Sequence, residues 1–274
     1  MINIQDEYKA LLSAILHGGR AKKDRTGTGT RSVFGRIIEH DMPLGFPLLN
    51  AKRISFNAAR TELLWILNGR TDLKYLEDNG VKYWRPDYER SSRTDETLGP
   101  VYGKQWRNFD GVDQLYQLVH DLHYTPYSRR LMVNAWNPAD IPQMALPPCH
   151  YGFQVYVNDG KLDLMWQQRS ADVFLGLPYD IAMYGLLLEM IADGAGYEAG
   201  TLIASLGDCH LYNNHLEQAK EYRRRSKRAL PFLHLDRGIS HNVLGGLNIP
   251  DSFEIKLINY NPYPAIKAEL SVGK

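Results

Sequence analysis

The chain has 274 residues, 44% of them apolar and 23% charged, with a formal net charge of +1. That length suffices for a substantial core, and the composition is that of an ordinary globular protein. The near-neutral balance gives no bulk electrostatic case for nucleic acid or a membrane surface as the main partner. The two cysteines, Cys149 and Cys209, cannot build a disulfide framework and fit no zinc spacing, so a reducing compartment and no metal are expected. The opening MINIQDEYKALLSAILHGG is too polar for a signal peptide, and no stretch approaches the ~20 apolar residues of a membrane span. A cytoplasmic protein is the expectation.

No repeat, low-complexity tract or long linker divides the sequence, which reads as one domain over 1–274. Residues 5–17 carry Tyr8, Leu11, Leu12 and Ile15 at helical spacing, stopped by Gly18 and Gly19. Residues 24–42 read as a polar, Gly-rich loop entering a strand. Residues 56–68 place Phe56, Ala59, Leu63, Ile66 and Leu67 on one helical face, with Gly69 as a C-terminal stop. Residues 112–122 repeat that pattern through Val112, Leu115, Leu118, Val119 and Leu122. RRLMVNAWN reads as a strand, and 151–170 as two strands joined by a hairpin at Asn158-Asp159-Gly160. A helix over 181–193 is apolar all round and should be fully covered. The basic run EYRRRSKR (221–228) reads as a solvated helix end, because no aromatic interleaving suggests nucleic acid. The last quarter is strand-like with several prolines. Helices mixed with hairpin-connected strands give an α+β class.

Cys149 follows Pro147 and Pro148 at a strand entrance and precedes His150. Alone, it reads more simply as a small buried hydrophobe. A nucleophilic thiolate needs positive charge nearby, and Arg25, Arg129, Arg130 and Arg169 are candidates that also suit a phosphate dianion. Together with DRTGTGT (24–30), ELLWILNG (62–69), LGPVYGKQWR (98–107), SRRLMVNAWNP (128–138), MALPPCH (144–150), QQRSADVFLGLPYDIAMY (167–184), GDCHLYNNHLEQ (207–218) and YNPYPAIK (260–267), the chain resembles the thymidylate synthase family, including its cytidylate hydroxymethylase members.

The resemblance runs through nearly the whole chain and implies a three-layer α+β fold. Its features are a mixed sheet, a central buried helix, and sheets packed back to back in a homodimer. It implies Cys149 as the nucleophile that adds to C6 of a pyrimidine nucleotide. Arg25, Arg169 and Ser170 would hold the 5′-phosphate, with Arg129 and Arg130 reaching across from a second subunit. His210 and Tyr212 would bind the sugar 3′-hydroxyl, and Gln168 and Asp172 complete the nucleotide-binding set. Glu62 and Tyr102 would organise water and proton transfers at the ring. Trp84, Asp172 and Gly176 would face the folate, with Lys52 near its tail. The co-substrate implied is 5,10-methylenetetrahydrofolate.

At 176–184 the family's usual wording has asparagine where this chain has Asp180. An Asn amide matches uracil's O4 acceptor and N3–H donor. Cytosine inverts both edges, so a carboxyl group that accepts from the amino group and shares a proton with N3 suits it. Burial would raise the carboxyl pKa and favour such sharing. An ionised oxygen facing uracil O4 leaves an unmatched polar pair, costing ~1–3 kcal/mol. The blander reading is that Asp180 caps a helix beginning at Ile181. Asparagine caps equally well, so capping gives no reason for the exchange, and a cytosine nucleotide, dCMP first, is the expected substrate.

Two products are open at the C5 methylene: hydride transfer gives a methyl group and dihydrofolate, whereas water gives a hydroxymethyl group. Trp84 and the retained tail favour the first. Tyr151, residues Gly273 and Lys274, and the unusual segment 85–97 favour the second, as does analogy with cytosine-specific relatives. Hydroxymethylation is the expectation. The alternatives are dCMP methylation, CMP hydroxymethylation and an ordinary thymidylate synthase acting on dUMP. An inactive nucleotide- or RNA-binding homologue is set aside, because binding alone has no use for a nucleophile.

Overall fold

The computed structural model describes residues 1–236, 238, 245 and 254–271; Gly273 and Lys274 lie outside them. In chain order, the first half forms α1 (Ile4–Gly18), β1 (Arg20–Lys22), β2 (Thr30–Asp41), α2 (Phe56–Leu67), α3 (Leu73–Asp78), α4 (Arg85–Arg90), α5 (Tyr102–Arg107) and α6 (Gln114–Tyr124). The second half forms β3 (Met132–Asn134), β4 (His150–Asn158), β5 (Lys161–Asp172), α7 (Leu177–Ala195), β6 (Glu198–Tyr212), α8 (Leu216–Arg224), β7 (Phe232–Leu235) and β8 (Ile255–Ile258).

Six strands make one mixed sheet in the order β1-β2-β6-β5-β4-β3, in which only β5 and β6 run parallel. The parallel pair follows from α7, a helical crossover that returns the chain to the same sheet. Helix α7 packs against β5, β6, α2 and α6. Its residues Ile181 to Leu188 are all buried, as the all-round apolar sequence requires. Strands β7 and β8 form a separate two-stranded antiparallel sheet. The α+β class and the mixed sheet around a buried central helix are those expected. Among the described residues no helix is long and apolar enough to cross a membrane.

Local chemistry explains the boundaries. Asn3 accepts from the Gln5 N–H at 2.9 Å and starts α1, whose Tyr8, Leu11, Leu12 and Ile15 are buried. Ser55 does the same for α2, and Gly69, at φ 67°, turns the chain just beyond it. Asp159 and Gly160 both take positive φ, 48° and 78°, which is the two-residue hairpin turn the sequence signalled.

Four boundaries differ from the sequence reading. Helix α6 begins at Gln114 because Asp113 accepts from the Tyr116 N–H at 3.0 Å, leaving Val112 outside at 53% exposure. The strand expected across 129–137 shrinks to Met132–Asn134. Helix α7 begins at Leu177, with Pro178 in its first turn, so Asp180 lies inside the helix and does not cap it. The run 221–228 is more than a solvated helix end. Arg225 donates to the Ala51 and Pro264 carbonyls at 2.8 and 2.6 Å, and Arg228 donates to Asn261 O at 3.2 Å while stacking 3.9 Å from the Tyr263 ring. These two arginines fasten the C-terminal segment to the body.

Candidate active site

The sheet register gathers chemistry at one edge. His150, at the start of β4, pairs with Gln168; on the other side of β5, Ser170 pairs with Asp208 and Asp172 with His210 of β6. The first turn of α7 follows directly. Helix α2 brings Glu62 and α5 brings Tyr102 from the opposite side. Together they enclose a cavity of about 410 Å³ lined by Cys149, Arg25, Glu62, Trp84, Asp87, Tyr102, Gln168, Ser170, Asp172, Gly176, Asp180 and Tyr212, among others.

The backbone N–H of Cys149 donates to the Tyr102 hydroxyl at 2.9 Å, and its carbonyl accepts from the Arg169 N–H at 2.9 Å. The Arg169 guanidinium donates to the carbonyls of Pro148 and Pro147, at 2.8 and 2.9 Å. This anchors a positive charge beside the thiol. Burial pushes the Cys149 thiol up to about 11; Arg169 and Arg25 pull it down, while Asp180 and Asp87 push it further up. Cys149 is therefore held as the neutral thiol near neutral pH. His150 supplies no cation: burial lowers its pKa to about 3, and its neutral ring stacks 4.2 Å from Tyr102 and bonds the Tyr184 hydroxyl at 2.9 Å.

Asp180 sits one helical turn inside α7 and accepts from Gln168 Nε2 at 2.8 Å through Oδ2. Gln168 is itself oriented by Trp166 Nε1, which donates to its Oε1 at 3.1 Å. Burial pushes the Asp180 carboxyl up to about 7; the Gln168 bond opposes this, and the nearby charges of Glu62 and Asp172 reinforce it. The group exchanges a proton near neutrality. Glu62 accepts from Trp84 Nε1 at 2.6 Å and from the Tyr83 hydroxyl, and burial raises its pKa against both bonds. Asp172 accepts from the N–H groups of Phe174 and Leu175 at 3.0 and 3.1 Å, which fixes the turn leading into α7.

A cysteine-bearing loop and an acid-lined cavity with Arg25 in its wall, gathered at one sheet edge, agree with a family-wide correspondence: residues 6–272 match the family model for thymidylate synthase. The chain belongs to the thymidylate synthase family. Members carry out folate-dependent one-carbon transfer to a pyrimidine nucleotide with methylenetetrahydrofolate as co-substrate, so this chain is a one-carbon transferase by family. The cavity suits both partners. Trp84, Leu146, Leu175 and Tyr179 offer apolar surface to a flat heterocycle, and Arg25 and Ser170 offer donors to an anion.

Of the residues expected from the thymidylate synthase resemblance, the structure brings Cys149, Arg25, Glu62, Trp84, Tyr102, Gln168, Ser170, Asp172, Gly176, Asp180 and Tyr212 into one cavity. His210 stands beside it, with Nδ1 3.3 Å from Asp208 Oδ1; Asp208 in turn pairs with Lys22 at 2.8 Å and is held down at about 2 by these two partners. Arg129 and Arg130 are exposed in the turn before β3 and are not part of this chain's cavity. Lys52 also stands apart: it is 4% exposed, donates to the Phe174 carbonyl at 2.5 Å and lies 3.9 Å over the Phe174 ring. Burial lowers its pKa to about 8. Sequence reasoning missed Tyr83, Asp87, Tyr179, Leu270 and Ser271, all of which line the cavity. The signal for Asp87 was the unusual segment 85–97. The tail residues Leu270 and Ser271 gave none beyond their place in the closing segment.

Proposed function

We propose that the chain transfers a one-carbon unit to C5 of a cytosine nucleotide, dCMP first, and that water completes the reaction to give the 5-hydroxymethyl product. The observation that carries the base assignment is Asp180: a buried carboxyl in the cavity of Cys149, shifted to about 7 and tethered through one oxygen to Gln168. In its protonated form it donates to N3 and accepts from the 4-amino group. Protonation at N3 draws electrons from C6 as the Cys149 sulfur adds there, and C5 becomes the nucleophile that takes up the one-carbon unit supplied by the bound folate. Glu62, braced by Tyr83 and Trp84, serves proton movements at the ring, and the Tyr102 phenol, kept neutral by burial, orients the Cys149 backbone. Arg25, Arg169 and Ser170 take the phosphate, and His210 and Tyr212 take the sugar. Trp84, Asp172 and Gly176 face the folate, and Lys52 supports that wall from behind Phe174.

The active species in this reading is a cytoplasmic homodimer of single-domain subunits in which Arg129 and Arg130 complete the partner's phosphate site. The solvent side of the sheet supports it. Met132, Gln154, Met165, Ile203 and Glu39 form one cross-strand row, and Tyr156 and Ile37 stand on the same face at 64% and 52% exposure. Exposed Met132, Tyr156 and Ile37 among polar neighbours on one sheet face suit cover by a second copy.

The test is mass spectrometry of the products from dCMP, CMP and dUMP with methylenetetrahydrofolate. Hydroxymethyl-dCMP as the dominant product is the expected result. Clear preference for dUMP ends the cytosine assignment, and stoichiometric dihydrofolate ends the hydroxymethyl one.

A further inference from the structure

The cavity is lined by four carboxylates, and each has a partner. Glu62 bonds Tyr83 and Trp84, Asp172 bonds the backbone N–H groups that open the turn into α7, and Asp180 bonds Gln168. The fourth is Asp87, carried into the cavity by α4. That helix is pinned: Arg85 forks onto Glu77 with two bonds of 2.6 Å and reaches Glu96 at 2.9 Å. Further along the segment, Arg93 donates to the Thr97 and Gln143 carbonyls at 3.0 and 2.6 Å. The Asp87 side chain is 15% exposed and is paired through Oδ1 with Arg90. Burial raises its pKa, while the charges of Arg90 and Arg25 pull it down. Its own charge is felt at the Cys149 thiol. The carbon that decides the product is three bonds from that sulfur, through C6 and C5.

We infer that Asp87 is the acid–base group that receives the proton of the water adding to the C5 methylene, and so the residue that directs the reaction to the hydroxymethyl product. This rests on the function proposed above. In the step, the water oxygen forms a bond to the methylene carbon and its proton passes to the Asp87 carboxylate. The electron pair of the exocyclic double bond becomes the C5–C6 double bond, and the C6–S bond breaks to return the Cys149 thiolate. Nothing is oxidised or reduced, and Asp87 returns its proton to solvent. A pinned carboxylate also holds water in the cavity, which hydride transfer requires to be dry.

The experiment uses full-length protein, dCMP tritiated at C5, and methylenetetrahydrofolate. Tritium release reports every step up to loss of the C5 hydrogen, and product analysis reports the fate of the methylene. In Asp87→Asn, hydroxymethyl formation should fall by roughly 100-fold or more relative to tritium release. A Cys149-bound nucleotide should accumulate in the mass spectrum of the denatured protein, or methyl-dCMP should appear in its place. Asp87→Glu should recover part of the hydroxymethyl yield. The idea fails if Asp87→Asn keeps hydroxymethyl formation in step with tritium release, or if only the KM for the folate rises. Parallel loss of both signals in Asp87→Asn and Asp87→Glu also overturns it, because Asp87 then serves an earlier step or the fold. In the wild type, tritium release from dUMP and not dCMP removes the cytosine reading beneath it. Methyl-dCMP with dihydrofolate removes the product reading. Each is distinguishable from failure of the Asp87 role itself.

Discussion

Asp180 couples the protonation of a buried carboxyl in the cavity to the stability of the fold. Burial raises its carboxyl from the ordinary carboxylate range to about 7, so the folded chain holds a proton that the unfolded chain releases between about pH 4 and 7. The stability this contributes is complete below the unfolded pKa and is lost as pH rises through 7, where the buried group ionises. Asparagine at 180 does not titrate. The stability advantage of Asp180→Asn over the wild type should therefore grow from pH 4.5 to about 7.5 and then level off, by an amount on the order of a few kcal/mol. Glu189, also pushed up to about 7 by burial, is common to both proteins and cancels in the difference. Urea midpoints across that range, without nucleotide, measure it; parallel profiles would show that Asp180 keeps its charge in the folded state. The sequence disclosed the residue and its direction of shift, since a carboxylate beside an apolar helix has few other fates. It did not disclose that Gln168 holds Oδ2, because that partner comes from β5 and depends on the sheet register. The segment carrying Asp87 stands out in the sequence, but the residue does not: on a short helix with charges on every side, the pattern does not say which carboxylate turns inward.

At the scale of elements, what was readable was whatever local chemistry decides. The hairpin at Asp159-Gly160, the amphipathic α1 and α2 and the fully apolar α7 follow from turn residues and periodicity, and the structure has them. What depended on distant partners was misread. Arg225 and Arg228 sit in a run that locally looks like a solvated helix end, yet their acceptors are carbonyls at 51, 261, 262 and 264. Those bonds hold the segment whose Leu270 and Ser271 form one wall of the cavity. Arg228→Ala removes the donors to Asn261 and Pro262 together with the stack on Tyr263. Amide exchange in 260–271 should then accelerate by roughly tenfold, as loss of one such clamp implies. The KM for nucleotide or folate should rise with it, while α7 amides exchange as before. Unchanged exchange in the tail, or a uniform increase throughout the protein, would show that the clamp does not act locally.

At the scale of the whole molecule, the cavity of a single chain is electrostatically wrong for its substrate. Glu62, Asp87, Asp172 and Asp180 line it, and Arg25 is the one arginine in that lining among the described residues. A nucleoside monophosphate brings a dianion, so further cations must reach the rim. Arg169 is near but spends donors on the Pro147 and Pro148 carbonyls. Arg129 and Arg130 are exposed on the turn before β3, at the border of the sheet face that carries Met132, Tyr156 and Ile37. In the proposed homodimer, a two-fold pairing through that face would bring each chain's turn to the other's site. This geometry makes a quantitative prediction. Cys149→Ala lacks the nucleophile, and Arg129→Ala/Arg130→Ala lacks the crossing cations, so each homodimer should be inactive, or nearly so for the second. Unfolded together and refolded as an equal mixture, half of the dimers are hybrids, and in each hybrid one of two sites combines an intact Cys149 with intact arginines from the partner. Activity should return to about a quarter of the wild-type value. No recovery, with hybrids demonstrated by mass, would place Arg129 and Arg130 outside the partner's site and leave the charge of the cavity to be balanced by the chain's own residues.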